Sequence, residues 1–153
     1  MTTEKKRTVE KDPPLKKDDL IVITGGGGFI GGNLAAYFRK KGFTNIRAVD
    51  KKPLYEWYLH VPGVQNVCLD VSDDENCRRV CEGAVEVYNL AADMGGMGFI
   101  ENNKAECMLS VLTSTNMLVA ARDAGTQRFF YSSSACVYNG SKQTDPNVTA
   151  LTE

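Results

Sequence analysis

Long apolar runs are missing from this 153-residue chain, and none approaches the roughly 20 residues a bilayer-spanning helix needs. No membrane partner is expected. An excess of one charge is missing too, with 18 Lys and Arg against 19 Asp and Glu for a net charge of −1. Without a general positive field there is little to attract a polyanion, and no nucleic-acid partner is expected. The five cysteines, Cys68, Cys77, Cys81, Cys107 and Cys136, are an odd number and contain no C-x-x-C pair. That pattern suits neither a zinc site nor a disulfide framework, so reduced thiols and no metal are expected. The N-terminus has no apolar signal core, and Glu4 and Glu10 do not suit an acid-poor transit peptide. A cytoplasmic address is the expectation.

What remains is the composition of an ordinary globular domain, 42% hydrophobic and 24% charged, at a length that suits one domain. Residues 1–19 carry six basic and five acidic residues, Pro13-Pro14 and almost nothing apolar. Such a segment cannot offset its own ordering entropy and is expected to be a flexible charged tail. From Leu20 onward, short β-favouring runs alternate with helical segments.

Leu20 to Thr24 predicts a strand, and Phe29 to Lys41 a helix closed by Gly42, with Phe29, Ile30, Leu34, Tyr37 and Phe38 as its apolar face. Ile46 to Asp50 and Val64 to Leu69 predict two further strands, joined by loop with a short helical turn. Ser72 stands three residues before Glu75, which predicts a helix capped by Ser72 and running to about Glu82. Val85 to Ala91, a long helix from about Asn103 to Ala124, and Arg128 to Ser132 complete the series. Alternation of this kind implies right-handed crossovers and a buried parallel sheet. The expected fold class is therefore α/β, with a doubly wound parallel sheet.

The chemistry sits first in the turn after the opening strand, where glycines fall at 25, 28 and 31 in Thr24-Gly25-Gly26-Gly27-Gly28-Phe29-Ile30-Gly31. A tight turn, backbone amides close to a pyrophosphate and a helix packed hard on the sheet all require glycine at this spacing. Asp50 ends the second strand 19 residues after Gly31, where a carboxylate can accept from both hydroxyls of a ribose. Its charge opposes a 2′-phosphate and favours NAD over NADP, with Lys51 and Lys52 able to soften that preference. Asp70 follows the third strand at the same edge, within reach of an adenine ring.

In order along these elements stand Gly25, Gly28-Phe29-Ile30-Gly31, Asp50, Asp70-Val71, Asn89-Leu90-Ala91-Ala92 and Ser132-Ser133-Ser134. On them the chain from Leu20 onward resembles the extended short-chain dehydrogenase/reductase family, the NAD-dependent epimerases and dehydratases. Two segments, Ala91 to Ile100 and Phe129 to Tyr138, are similar to the branch that epimerises GDP-mannose at C3 and C5. The resemblance implies NAD bound by Gly25, Gly28, Phe29, Ile30, Gly31, Asp50, Asp70, Leu90, Ala91 and Ala92. It also implies a nucleotide-sugar substrate of the GDP-mannose type, oxidised transiently at C4, and a homodimer of the longer parent protein. Ser133 or Ser134 would hydrogen-bond the sugar hydroxyl being oxidised, and Gly95, Gly96, Met97 and Gly98 would let backbone approach the substrate. Cys136 would be one of an acid/base pair, whereas on its own residues it reads as an inert thiol after a strand.

The family places a catalytic Tyr and Lys, spaced Y-x-x-x-K, on a helix two dozen or more residues beyond the Ser strand. Two matches to that spacing, Tyr37 with Lys41 and Tyr138 with Lys142, fall on the wrong elements. The expectation is an N-terminal portion of a longer enzyme, with 20–153 an incomplete Rossmann-type NAD-binding domain, a doubly wound parallel sheet in the order 3-2-1-4-5, lacking the last strands and the substrate domain and so leaving an exposed apolar edge beside the fifth strand. Ser110 is a further departure, since many relatives carry Asn there. The alternatives are an epimerase or dehydratase for another nucleotide sugar, and a non-catalytic NAD-binding or interaction module.

Overall fold

The structure is a computed structural model and describes residues 13–93 and 97–133. Strands β1 (Leu20–Thr24), β2 (Ile46–Asp50), β3 (Gln65–Cys68), β4 (Ala84–Asn89) and β5 (Arg128–Tyr131) form one sheet in the order β3-β2-β1-β4-β5. Every neighbouring pair runs parallel. Helices α1 (Phe29–Lys40), α2 (Asp74–Cys81), α3 (Met97–Asn102) and α4 (Lys104–Asp123) occupy the connections, with a 3₁₀ turn at Leu54–Glu56. This is the expected doubly wound α/β sheet, and it brings the ends of β1, β2 and β4 to one edge.

All five β1 residues are buried because helices cover both faces. Ile21 and Ile23 join Ala35, Phe38, Ile46 and Ala48 in the core under α1, while Leu20 and Val22 join Val80, Val87, Met117 and Ala121 under α2 and α4. The β1–β4 register shifts between Leu20 and Ile21. Beyond that shift Val87 faces the α2 and α4 core, and Asn89 reaches Ser114 of α4, with Nδ2 donating to Oγ at 3.2 Å.

Several local readings change. Phe29, Ile30 and Tyr37 of α1 are exposed, and the face on the sheet is Gly31, Gly32, Ala35 and Phe38. Small residues let this helix approach closely, so its inward stripe is not its most hydrophobic one. The cap of α2 is Asp73 rather than Ser72, since the Asp73 carboxylate accepts from the amides of Glu75 and Asn76 at 2.8 and 3.1 Å. Ahead of the long helix expected from about Asn103, Met97–Asn102 forms a separate short helix, α3. Residues 13–19 are tied to the domain: Leu15 packs on the α1 core, and the Lys17 ammonium donates to the Lys41 carbonyl and lies 4.1 Å from the Phe43 ring.

Cys77 and Cys81 are fully buried, and desolvation pushes their thiols up to about 11 and about 12. They are core residues without reactivity at neutral pH. β5 ends the described sheet, paired with β4 on one side, and its Phe130 and Tyr131 are about half exposed, in keeping with the expected apolar edge. No helix among the described residues is long and apolar enough to cross a membrane.

Candidate functional site

The turn after β1 is built so that backbone replaces side chains. Gly25 has φ of 68°, a left-handed conformation, and a Cβ there would lie 2.8 Å from the Leu90 carbonyl oxygen. Gly31 packs directly on the Gly25 carbonyl, so α1 begins as close to the turn as backbone allows. Gly28 caps α1 with no side-chain hydrogen bond, and no acidic residue stands in the first turn. The first-turn amides of Phe29, Ile30 and Gly31 have no preceding helical carbonyls to bind, and together with the helix dipole they favour an anion.

Asp50 is fixed beside this turn. Its Oδ2 accepts from the Gly27 amide at 3.0 Å and its Oδ1 from the Lys52 amide at 3.0 Å. Each oxygen keeps a lone pair for an incoming hydroxyl. Trp57 buttresses the loop from behind, buried under the turn with its indole N–H donating to the Lys52 carbonyl at 2.9 Å, while the Tyr58 amide donates to the Gly27 carbonyl at 2.9 Å. Asp70 accepts from the Ser72 amide at 2.9 Å, and that hydrogen bond, with Lys51 adding attraction, holds its carboxyl below the ordinary value against the opposing effect of burial. It is therefore a stable anion at neutral pH.

At the end of β1, the buried Thr24 hydroxyl donates to Asn89 Oδ1 at 2.7 Å and accepts from the amides of Leu90 and Ala91 at 3.2 and 3.3 Å. This knot holds the strand ends together where they open into a cleft of about 380 Å³, within the size range of small-molecule sites. The cleft gathers Gly25, Gly28, Asp50, Asp70, Leu90, Ala91 and Ala92 from four separate segments. Phe29 and Ile30 turn their side chains outward, Phe29 edge-on to Tyr58 at 4.8 Å, and Gly31 lies beneath the turn. Gly98 lies in α3 and Ser133 is exposed after β5. Gly95, Gly96, Ser134 and Cys136, with Tyr138 and Lys142, lie outside the described residues, as does the side chain of Met97.

Sequence reasoning did not place Ser72, Asp93, Leu109 or Thr113 in the cleft, nor Ser110 against Asp93, whose amide donates to Ser110 Oγ at 3.0 Å. Ser72 and Asp93 follow the ends of β3 and β4, and α4 lying along the mouth brings Leu109, Ser110 and Thr113. Tyr37 and Lys41 stand at the far end of α1 from the cleft, the ammonium 5.5 Å from the Tyr37 ring, and are no catalytic pair.

Comparison with known proteins fits this geometry. The profile of the NAD dependent epimerase/dehydratase family matches residues 21–153. The chain belongs to that family. Relatives within the family include GDP-mannose 3,5-epimerase 1 of Oryza sativa subsp. japonica, 42% identical over 125 residues, covering 79% of this chain and 32% of the rice protein. GDP-mannose 3,5-epimerase of Arabidopsis thaliana is 49% identical over 86 residues, 56% of this chain and 23% of that protein. The chain thus spans about a third or less of the length of these curated relatives.

Among solved structures, an epimerase from Methanothermobacter thermautotrophicus aligns with TM-score 0.71 and 27% identity, covering 84% of this chain and 39% of that one. MoeE5 in complex with UDP-glucose and NAD aligns with TM-score 0.66 and 27% identity, covering 78% of this chain and 38% of its own. The cofactor of the epimerase/dehydratase family is NAD. The residues present suit it chemically: an uncapped helix start for a pyrophosphate, a carboxylate with free lone pairs for a ribose, and a glycine cradle that any Cβ at Gly25 would close.

Proposed function

We propose that this cleft binds NAD and that the protein is a nucleotide-sugar epimerase acting on GDP-mannose at C3 and C5. The observation that carries the reading is the placement of Asp50 against the Gly27 amide, at the mouth of the uncapped glycine turn. In it the amides of Phe29, Ile30 and Gly31 hold the pyrophosphate, Asp50 holds the adenosine ribose, Asp70 meets the adenine, and Leu90, Ala91 and Ala92 line the path toward the nicotinamide. Bound NAD supplies reversible hydride acceptance at C4 of the hexose. With C4 at the ketone level the C3 and C5 protons are acidified, and Cys136 is the proposed group that takes or returns one of them. Ser133 or Ser134 orients the C4 hydroxyl, while Gly95, Gly96, Met97 and Gly98 give the sugar backbone access.

Identity of 42% to the rice enzyme supports the GDP-mannose assignment, and the likeness to MoeE5, solved with UDP-glucose, favours a UDP-hexose as second reading. Incubation of the full-length protein with GDP-mannose in deuterated buffer separates them. Deuterium is expected at C3 and C5 with protium kept at C4, read by proton NMR. Turnover only in a parallel sample with UDP-glucose, read from the product's NMR spectrum with or without deuterium, would replace the GDP-mannose reading, and turnover of neither substrate would overturn the epimerase proposal.

A further inference from the structure

Three carboxylates, Asp50, Asp70 and Asp93, and two lysines, Lys51 and Lys52, line the cleft. Lys51 directly follows Asp50, yet its ammonium is turned across the mouth to Asp93, 42 residues away, donating to both carboxylate oxygens at 3.0 Å. Asp93 is held for this contact by its own amide, which donates to Ser110 Oγ on α4. The two side chains are 55% and 49% exposed, so the pair contributes little to folding stability. Its consequence is directional: it fixes where the Lys51 charge points.

That direction matters beside Asp50. A dinucleotide carrying a 2′-phosphate would place it at the end of β2, where a nearby cation is what accommodates it. Lys51 is placed to be that cation, and the Asp93 hydrogen bond, with the charges of Asp93, Asp70 and Asp50, keeps it protonated above its ordinary range despite partial desolvation. We propose that Asp93 is a cofactor-specificity residue, which holds the Lys51 ammonium away from a 2′-phosphate and so strengthens the preference for NAD over NADP. The proposal rests on the NAD reading of the cleft and adds a residue to it. Lys52, whose amide serves Asp50, contributes equally in every variant below and cancels from the comparison.

The test is a titration of the chain and of Asp93→Asn, Lys51→Ala and the double variant with NAD and with NADP, followed by intrinsic fluorescence. The ratio of NADP to NAD affinity is expected to rise about fivefold in Asp93→Asn, the order of one exposed charge pair. Lys51→Ala is expected to leave the ratio near its starting value, and the double variant to return to it. Asp93→Ser should reproduce the rise and guards against an effect particular to Asn. An unchanged ratio in Asp93→Asn overturns the proposal. An equal rise in the double variant also overturns it, because lost repulsion from Asp93 would then suffice without Lys51. Absence of NAD binding in every form would instead remove the NAD reading itself, and the proposal with it.

Discussion

Gly31→Ala is expected to abolish measurable NAD binding and to lower the thermal midpoint by roughly 5–10 °C. A methyl group on Gly31 overlaps the Gly25 carbonyl and comes within 2.8 Å of the Gly25 carbonyl carbon and 2.9 Å of Gly26 Cα. All three neighbours are backbone atoms, so no rotamer change relieves the clash, and α1 must move away from the turn. Overpacking of this kind costs about 1–3 kcal/mol, and about 2–4 °C per kcal/mol is usual near this size. The same movement carries the Gly27 amide off Asp50 and misaligns the amides proposed for the pyrophosphate. Gly98→Ala provides the contrast, because nothing among the described residues lies within 4 Å of the added methyl and the site is helical. Its melting curve, followed by circular dichroism, is expected to match the parent or rise slightly. Equal melting of Gly31→Ala and the parent would show that the turn is looser than described.

Asp50→Asn is expected to weaken NAD about 10- to 100-fold with a much smaller effect on folding. Hydrogen bonds to a charged acceptor are worth about 1.5–3 kcal/mol, and the carboxylate is proposed to accept from the ribose with both oxygens. Asn keeps one acceptor, and its NH₂ must face either the Gly27 or the Lys52 amide, both of which now donate to Asp50. A donor therefore meets a donor, and the loop that Trp57 braces against the turn loses one of its ties. NADP should lose less affinity than NAD in this variant, since a repelling charge disappears with the ribose acceptor. Calorimetric titration reads both numbers, and undiminished NAD affinity would remove Asp50 from the proposed site.

What the sequence revealed depended on how local each signal was. A parallel sheet followed from alternation and chirality, its strand order from the family resemblance, and Gly25, Gly28, Asp50 and Asp70 come together at the cleft because each ends or follows a strand of that sheet. The inward face of α1 was misread because hydrophobicity favours Phe29, Ile30 and Tyr37, whereas close packing on a sheet favours Gly31 and Ala35. Asp73 and Ser72 are adjacent and both competent caps, so only the path of the chain decides between them. The glycines around Gly98 concealed α3, which a propensity argument reads as loop. Lys51 and Asp93 are separated by 42 residues and meet only because β2 and β4 flank β1. No pattern in the chain announces such a pair.

The most direct test of the cleft as a dinucleotide site is calorimetric titration of the chain with NAD. Saturable one-to-one binding, reduced by Asp50→Asn and lost in Gly31→Ala, is the expected result. Absence of binding up to millimolar NAD in a chain whose melting curve is cooperative would contradict it, and the family's cofactor would then have no place in this cleft.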